Sequence, residues 1–206
     1  MHRICRVSYY IYSINIAILL EEILILFFRK PNVFHILDDF QKPGKMTTSS
    51  DRMMATLSMN MDKQFETDSE LTKKERAVFF EKLLQILQPW ISHQKRRHPE
   101  HNVSIAILKS TANQSSEQKI HVDFDPKKKS NSFSTIIPLN DYCVINMKSS
   151  GCEKMSLHVN KGFMLEFKGN QPHGGGTNNC GKDQFRVHAY FYTGNSLPKN
   201  KVFYVL

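Results

Sequence analysis

The chain has 206 residues, of which 40% are hydrophobic and 23% are charged, and its formal net charge is +9. This length suits one sizeable hydrophobic core and is too short for two full domains, and the composition excludes wholesale disorder. The positive charge is compatible with nucleic acid, an anionic membrane surface or an acidic substrate, and charge alone does not choose among them. The four cysteines form no C-x-x-C pair, which favours free thiols in a reducing, intracellular compartment, cytoplasmic or nuclear.

The first 28 residues are mostly apolar, but Glu21 and Glu22 interrupt them. Two adjacent carboxylates leave neither half with the roughly 20 apolar residues that a membrane span needs. The favoured interpretation is therefore a buried or partner-facing helix rather than a stable membrane span. A secretory signal, an anchor or an imperfect gene model stays open as the alternative.

The stretch from about residue 29 to residue 101 is expected to support the core. A strand is predicted at 33–37, and the Ser/Thr/Met-rich stretch from about 45 to 68 is interpreted as a loop or flexible linker. The capping box at 72–75 predicts a helix that ends at Gln88, before Pro89. The basic run at 95–98, flanked by further histidines, is interpreted as a solvated loop, with a phosphate or metal site as the alternative.

After residue 102 the hydrophobic pattern changes from helical to strand-like and stays so to the end of the chain. Eight short strands are predicted, at 103–108, 120–124, 133–139, 142–147, 155–159, 163–167, 185–192 and 201–205. Strands at this spacing without intervening helices favour a double-sheet jelly roll or a closed barrel over an α/β fold. The prediction is a mainly β protein with flanking helices (α+β), in which residues 1–101 support a core at 102–206.

Chemistry concentrates on three positions of this β region. His121 and Asp123 lie two apart in a predicted strand, so both project from one face. His173 follows after a long excursion through further strands. Two imidazoles and one carboxylate form a facial triad, which holds Fe(II) and leaves other coordination positions open.

These residues, with Arg186 on the following strand, resemble the Fe(II)- and 2-oxoglutarate-dependent dioxygenases, whose core is a double-stranded β-helix (jelly roll). The resemblance covers about residues 102–206. It implies that His121, Asp123 and His173 ligate iron and that Arg186 pairs with the distal carboxylate of 2-oxoglutarate, which a guanidinium fork can bind bidentately. The glycines at 174–176 are expected to allow a sharp turn beside the metal.

The activity that this resemblance implies is oxidative decarboxylation of 2-oxoglutarate to succinate, coupled to hydroxylation or demethylation of an unidentified small-molecule or protein substrate. O2 is the cosubstrate, and ascorbate assists. The arginine-rich signature of the nucleic-acid demethylases in this superfamily is absent, so nucleic acid is not the favoured partner.

The chain departs from the family at one position of the cosubstrate site. Many members place serine two residues after the arginine, whereas this chain has His188. A hydroxyl from Thr135, Tyr142 or Tyr190 could supply the second anchor for 2-oxoglutarate, and the sequence does not choose among them. His188 and His158 are expected at the surface or behind the ligands, outside the metal set.

Two other classes of protein stay open on the sequence alone. One is a non-catalytic, cupin-like jelly roll that binds a metal or another ligand, and the other is a basic nucleic-acid-binding protein. A metal-free sandwich in which Arg186 forms an ion pair with Asp123 would also satisfy the pattern.

Overall fold

The structure is a computed structural model that describes residues 9–13, 52–57, 85, 87–113, 115–124, 131–149, 152–194 and 203–204. Helix α1 includes residues 87–97. The strands are β1 Tyr9–Ser13, β2 Arg52–Leu57, β3 Asn102–Ser110, β4 His121–Val122, β5 Phe133–Pro138, β6 Tyr142–Met147, β7 Met155–Asn160, β8 Phe163–Lys168, β9 His173–Gly175, β10 Gln184–Tyr192 and β11 Phe203–Tyr204.

The strands form two antiparallel sheets. The larger sheet has the order β1-β8-β5-β10-β3-β2, and the smaller has the order β11-β4-β9-β6-β7. From β3 to β11 consecutive strands alternate between the sheets, except for the β6–β7 hairpin within the smaller sheet, and this alternation is how a double-stranded β-helix winds. The predicted fold class, mainly β with a jelly-roll core, is confirmed.

The core lies between the two sheets, because alternate residues of each strand point inward. Its buried members are Ile136, Leu165 and Phe167 from the larger sheet and Cys143, Ile145, Met147 and Val159 from the smaller one. Inward positions of the larger sheet also carry polar residues toward the smaller sheet. That polar part of the interior contains the candidate site.

Helix α1 covers the outer face of the larger sheet. Its buried Trp90 packs edge-on against Phe191 of β10, with 5.8 Å between ring centroids. The indole N–H also points at the sulfur of Met164 in β8, at 3.1 Å. Burial of this face leaves the opposite face of the sheet to form the interior with the smaller sheet.

The predicted end of the helix at Gln88 is wrong, because residues 87–97 are helical and include Pro89. Proline removes a single hydrogen bond to the residue four positions earlier and leaves the following residues free to continue the helix. Buried Leu87, Ile91 and Gln94 supply the packing that favours continuation. The capping box and residues 72–84 lie outside the described residues.

The basic run is also placed differently from the prediction. Residues 95–97 form the last turn of α1 rather than a loop, with exposed side chains. Nη1 of Arg97 lies 3.7 Å from the carboxylate of Glu166 on the adjacent sheet. Cationic side chains are favourable at a helix C-terminus, which explains why such a sequence ends a helix.

Two N-terminal expectations are wrong where the structure describes them. Residues 9–13 form strand β1, paired with β8, rather than part of a helix. Residues 52–57 form β2, paired with β3, rather than a linker. Both strands complete edges of the larger sheet, whose unpaired backbone groups favour an added strand. The predicted strand at 33–37 lies outside the described residues, and no helix among those described is long and apolar enough to cross a membrane.

The expectation of free thiols holds for two of the cysteines that the structure describes and is wrong for a third. Cys143 is buried and free, and Cys180 is free and half-buried. Cys152, however, is disulfide-bonded. A single bridge needs no dense cysteine framework, and disulfides are rare in cytosolic proteins, so cysteine usage no longer favours a reducing compartment.

Candidate metal centre

Neighbouring strands bring the first two candidate ligands together. His121 of β4 and His173 of β9 are direct register partners, and their ring centroids lie 4.7 Å apart. Asp123 follows β4 and turns back toward them. Its Oδ1 lies 4.0 Å from Nε2 of His121 and 3.5 Å from Nε2 of His173. One ligand atom from each residue therefore falls within 4.8 Å of the other two.

The backbone fixes which ring nitrogens face this cluster. Nδ1 of His121 donates to the carbonyl of Lys119 (2.8 Å), and Nδ1 of His173 donates to the carbonyl of Gln171 (2.9 Å). Because a carbonyl can only accept, both Nδ1 atoms carry the proton and both Nε2 atoms present lone pairs. Nε2 of His173 is buried without a hydrogen-bond partner among the described residues. Two lone pairs beside a carboxylate suit a divalent cation, so these residues fit a metal.

Electrostatics gives the three residues the protonation states that metal binding requires. Burial, followed by the charge of His173, lowers the pKa of His121 to about 4. Burial also lowers the pKa of His173. Burial alone would raise the pKa of Asp123, but the nearby histidines, His173 foremost, hold it well below its usual range. At neutral pH the cluster therefore has neutral imidazoles and an ionised carboxylate.

The second oxygen of Asp123 faces the larger sheet. The Ser134 hydroxyl of β5 donates to Oδ2 at 2.5 Å, and Nε2 of His188 in β10 lies 3.4 Å from the same oxygen. His188 lies behind Asp123, with a side chain that is 5% exposed, which is one of the two positions, at the surface or behind the ligands, that the sequence left open. His158 is exposed, as expected.

Only one of the three candidate hydroxyls reaches this group. The hydroxyl of Tyr190 lies 3.2 Å from Nδ1 of His188, and the two rings stack at 4.2 Å. Thr135 follows Ser134 on β5 and therefore points to the opposite face, toward α1. The Tyr142 hydroxyl instead accepts from the Cys180 thiol at 3.1 Å.

Arg186 lies two residues before His188 on β10 and so shares its face of the sheet. Its side chain is buried, with Nη1 3.4 Å from the hydroxyl of Ser110 and Nε without a hydrogen-bond partner among the described residues. His188 approaches Asp123 from this same face, so the guanidinium is on the side of the sheet that faces the candidate centre. In the described part of the chain no carboxylate pairs with it, and the expected alternative of an Arg186–Asp123 ion pair is not formed.

The glycines after His173 have another role than the predicted sharp turn. His173, Gly174 and Gly175 form β9, which lies between β4 and β6. A Cβ at Gly174 would lie 2.7 Å from the carbonyl oxygen of Gln118 and 3.1 Å from that of Lys119. The glycine therefore allows a close backbone approach beside the carbonyl that orients His121.

Replacing Gly174 by alanine should lower the free energy of unfolding by about 1–3 kcal/mol, because backbone must move to make room. It should also weaken metal binding, since the Lys119 carbonyl would shift. Gly181→Ala is the matched control, because a Cβ there meets nothing within 4 Å. Urea unfolding and metal titration measure both effects, and equal values for the two variants would contradict the close-approach role.

The two antiparallel sheets and the buried cluster define a double-stranded β-helix protein with a candidate metal centre. The sequence matches no protein-family model and no curated protein. Among solved structures, a Pseudomonas putida prolyl-4-hydroxylase is similar over 92% of this chain and 94% of that one, with 12% identity and a TM-score of 0.55. This likeness shows that the chain has the fold of a prolyl-4-hydroxylase.

Two further solved structures match a smaller part of the chain. EvdO2 from Micromonospora carbonacea var. aurantiaca matches 61% of this chain and 67% of its own, at 12% identity and a TM-score of 0.47. A 2OG-Fe(II) oxygenase family oxidoreductase from Burkholderia pseudomallei matches 59% of this chain and 61% of its own, at 13% identity and a TM-score of 0.46.

Proposed function

We propose that the protein is an Fe(II)- and 2-oxoglutarate-dependent dioxygenase. His121, Asp123 and His173 hold the metal, and Arg186 binds the distal carboxylate of 2-oxoglutarate. The observation that carries this proposal is a buried guanidinium without an acidic partner among the described residues, on the same sheet face as His188, which contacts the candidate ligand Asp123. A buried charge costs several kcal/mol unless an opposite charge compensates it. A ligand with one end that chelates a metal and a carboxylate at the other end satisfies both features.

When bound, iron with 2-oxoglutarate and O2 supplies oxidation of a C–H bond with release of succinate and carbon dioxide. The protein supplies position and a dry environment. The Lys119 and Gln171 carbonyls keep both imidazoles in one tautomer and orientation. The ring of Phe167 lies 4.5 Å from that of His173 and excludes water from one side of the centre.

His188 and Ser134 act on the metal through Asp123. Both approach Oδ2, so they hold the carboxylate with Oδ1 directed at the two imidazoles. Partners that orient a ligand in this way typically change metal affinity when they are removed. His188 is therefore a positioning residue in this proposal, and Tyr190 fixes its ring through the contact at Nδ1.

Replacing His188 by phenylalanine should weaken metal binding about 10-fold to 100-fold, because the aromatic packing stays while the contact to Oδ2 is lost. At saturating metal, the affinity for 2-oxoglutarate should change little. Titration of each variant with Mn²⁺ and then with 2-oxoglutarate separates the two effects. A normal metal affinity with a large loss of 2-oxoglutarate affinity would instead make His188 the second anchor of the cosubstrate.

Succinate formation tests the proposed activity. Purified protein is incubated with Fe(II), ascorbate, 2-oxoglutarate and pools of small molecules and peptides. Proline-containing peptides are included because the similar Pseudomonas putida structure is a prolyl-4-hydroxylase. Wild type should form succinate, His173→Ala should not, and His158→Ala, an exposed imidazole, should match wild type.

Metal titration of the same three proteins distinguishes the remaining outcomes. If wild type binds metal, His173→Ala does not, and neither forms succinate, a non-catalytic, cupin-like module is favoured. Binding of nucleic acid that falls steeply with salt, with neither metal binding nor succinate, would favour the basic nucleic-acid-binding protein.

A further inference from the structure

A second group of potential metal ligands lies where α1 leads into β3. His98 follows the helix, and its backbone N–H donates to the Gln94 carbonyl at 2.9 Å. The N–H of His101 donates in turn to the carbonyl of His98 at 3.1 Å, which closes a tight turn. This turn brings one ligand atom each from His98, Glu100 and His101 within 4.8 Å of one another.

The contact of His101 with the Asn131 carbonyl leaves its other ring nitrogen, Nδ1, in this cluster. Its Nε2 lies 2.9 Å from the carbonyl oxygen of Asn131, so Nε2 carries the proton and Nδ1 is bare in the neutral ring. The side chain is 1% exposed, and Nδ1 lies 3.0 Å from Oε1 of Glu100. The angles of this contact are not those of a hydrogen bond, so Nδ1 has no hydrogen-bond partner among the described residues. In the neutral ring this nitrogen and the carboxylate oxygen are both electron-pair donors, so a cation bound between them would interact with both.

We propose that His98, Glu100 and His101 form a second site for a divalent metal ion. Two imidazoles and one carboxylate suit Zn²⁺, Co²⁺ or Ni²⁺ rather than Mg²⁺ or Ca²⁺, which take oxygen ligands. Tetrahedral ligands about 2.0–2.2 Å from one ion lie roughly 3.3–3.6 Å apart, so Nδ1 and Oε1, now 3.0 Å apart, need to separate by only a few tenths of an ångström to hold Zn²⁺.

The aromatic ring of Phe133 in β5 organises this site. It lies 4.7 Å from the ring of His98 and 5.4 Å from that of His101. The next residue, Ser134, points to the other face of the strand and contacts Asp123. The two metal sites thus occupy opposite faces of one strand, and the second joins the end of α1 to the larger sheet. This site does not rest on the proposed oxygenase activity.

Zn²⁺ titration of the full chain tests the second site. His98→Gln and Glu100→Gln are the informative variants because their side chains are partly or fully exposed, whereas a change at buried His101 would also disturb the packing. Each variant should bind one Zn²⁺ fewer per chain than wild type, or bind that ion at least about 10-fold more weakly. The matched control is His93→Gln, which removes an exposed imidazole of α1 and should leave the stoichiometry unchanged.

Thermal unfolding in the His173→Ala background provides the second measurement. Zn²⁺ should still raise the Tm there, and addition of His98→Gln should remove that increase, because an ion that binds only the folded state stabilises it. The proposal is overturned if His98→Gln and Glu100→Gln bind as many Zn²⁺ ions as wild type with equal affinity. Loss of zinc binding through His173→Ala alone would also overturn it.

Discussion

Replacing Arg186 by methionine should weaken 2-oxoglutarate binding by between about 30-fold and several thousand-fold, because loss of a buried charge partner costs about 2–5 kcal/mol. The free energy of unfolding of the apo-protein should stay unchanged or rise by up to about 4 kcal/mol. Methionine keeps the volume and removes a buried charge that pairs with no carboxylate in the described part of the chain. Weaker 2-oxoglutarate binding together with an unchanged or higher free energy of unfolding distinguishes an arginine that binds the cosubstrate from one that stabilises the fold.

Calorimetric titration of the Mn²⁺-loaded protein with 2-oxoglutarate measures the affinity, and urea unfolding measures the stability. Metal affinity should stay within a few-fold of wild type, since Arg186 is not a ligand. Arg97→Met is the matched control, because Arg97 pairs with Glu166 on the outer face of the larger sheet. A structural ion-pair role for Arg186 predicts a large loss of stability and unchanged 2-oxoglutarate binding, which would refute the assignment.

The jelly roll was predictable because each of its strands can be recognised from the residues of that strand alone. Short runs that contain β-branched and aromatic residues set strands such as β6, whose bounds at 142–147 match the prediction. Positive φ angles at Asp141, Gly162 and Gly194 fall between the predicted strands. Strand β9 was missed because His-Gly-Gly has low strand propensity and forms only by pairing on both sides with β4 and β6.

The edges of the larger sheet and the end of α1 depend on tertiary contacts that a sequence pattern does not contain. Residues 9–13 become β1 because β8 offers an open edge, not because of their apolar period. Helix α1 passes Pro89 because Trp90 and Ile91 are buried against the sheet. At Pro89 long-range packing outweighs local propensity, whereas the tyrosine and isoleucine residues of β1 already favour a strand.

The candidate site was predictable to the extent that the spacing of two residues along a strand determines whether their side chains share a face. Residues two apart on a strand share a face, which was enough to group His121 with Asp123. The same rule placed His188 on the face of Arg186, yet depth below the surface does not follow from spacing. The contacts of His188 and Ser134 with Oδ2 require two strands distant in sequence to become neighbours in space.

The metal-free protein should lose stability as the pH falls from 7 to 4. His121 has a pKa of about 4 in the folded state and an ordinary value of 6.5. The unfolded chain therefore binds a proton in this range that the folded chain does not, and stability falls with pH by roughly 3 kcal/mol from this residue alone. His173, whose pKa is also lowered, adds a loss in the same direction.

Asp123 extends this loss to lower pH. Its folded-state pKa lies below the ordinary 3.8, so its contribution is present above that value and disappears as the pH falls further. Urea unfolding in EDTA at intervals from pH 7 to 4 measures the part of this dependence that comes from the histidines. His121→Asn, which keeps a donor for the Lys119 carbonyl, should remove roughly 3 kcal/mol of the loss between pH 6.5 and 4. His158→Asn, at an exposed histidine, should leave the curve unchanged, and equal curves for the two variants would refute the role of His121.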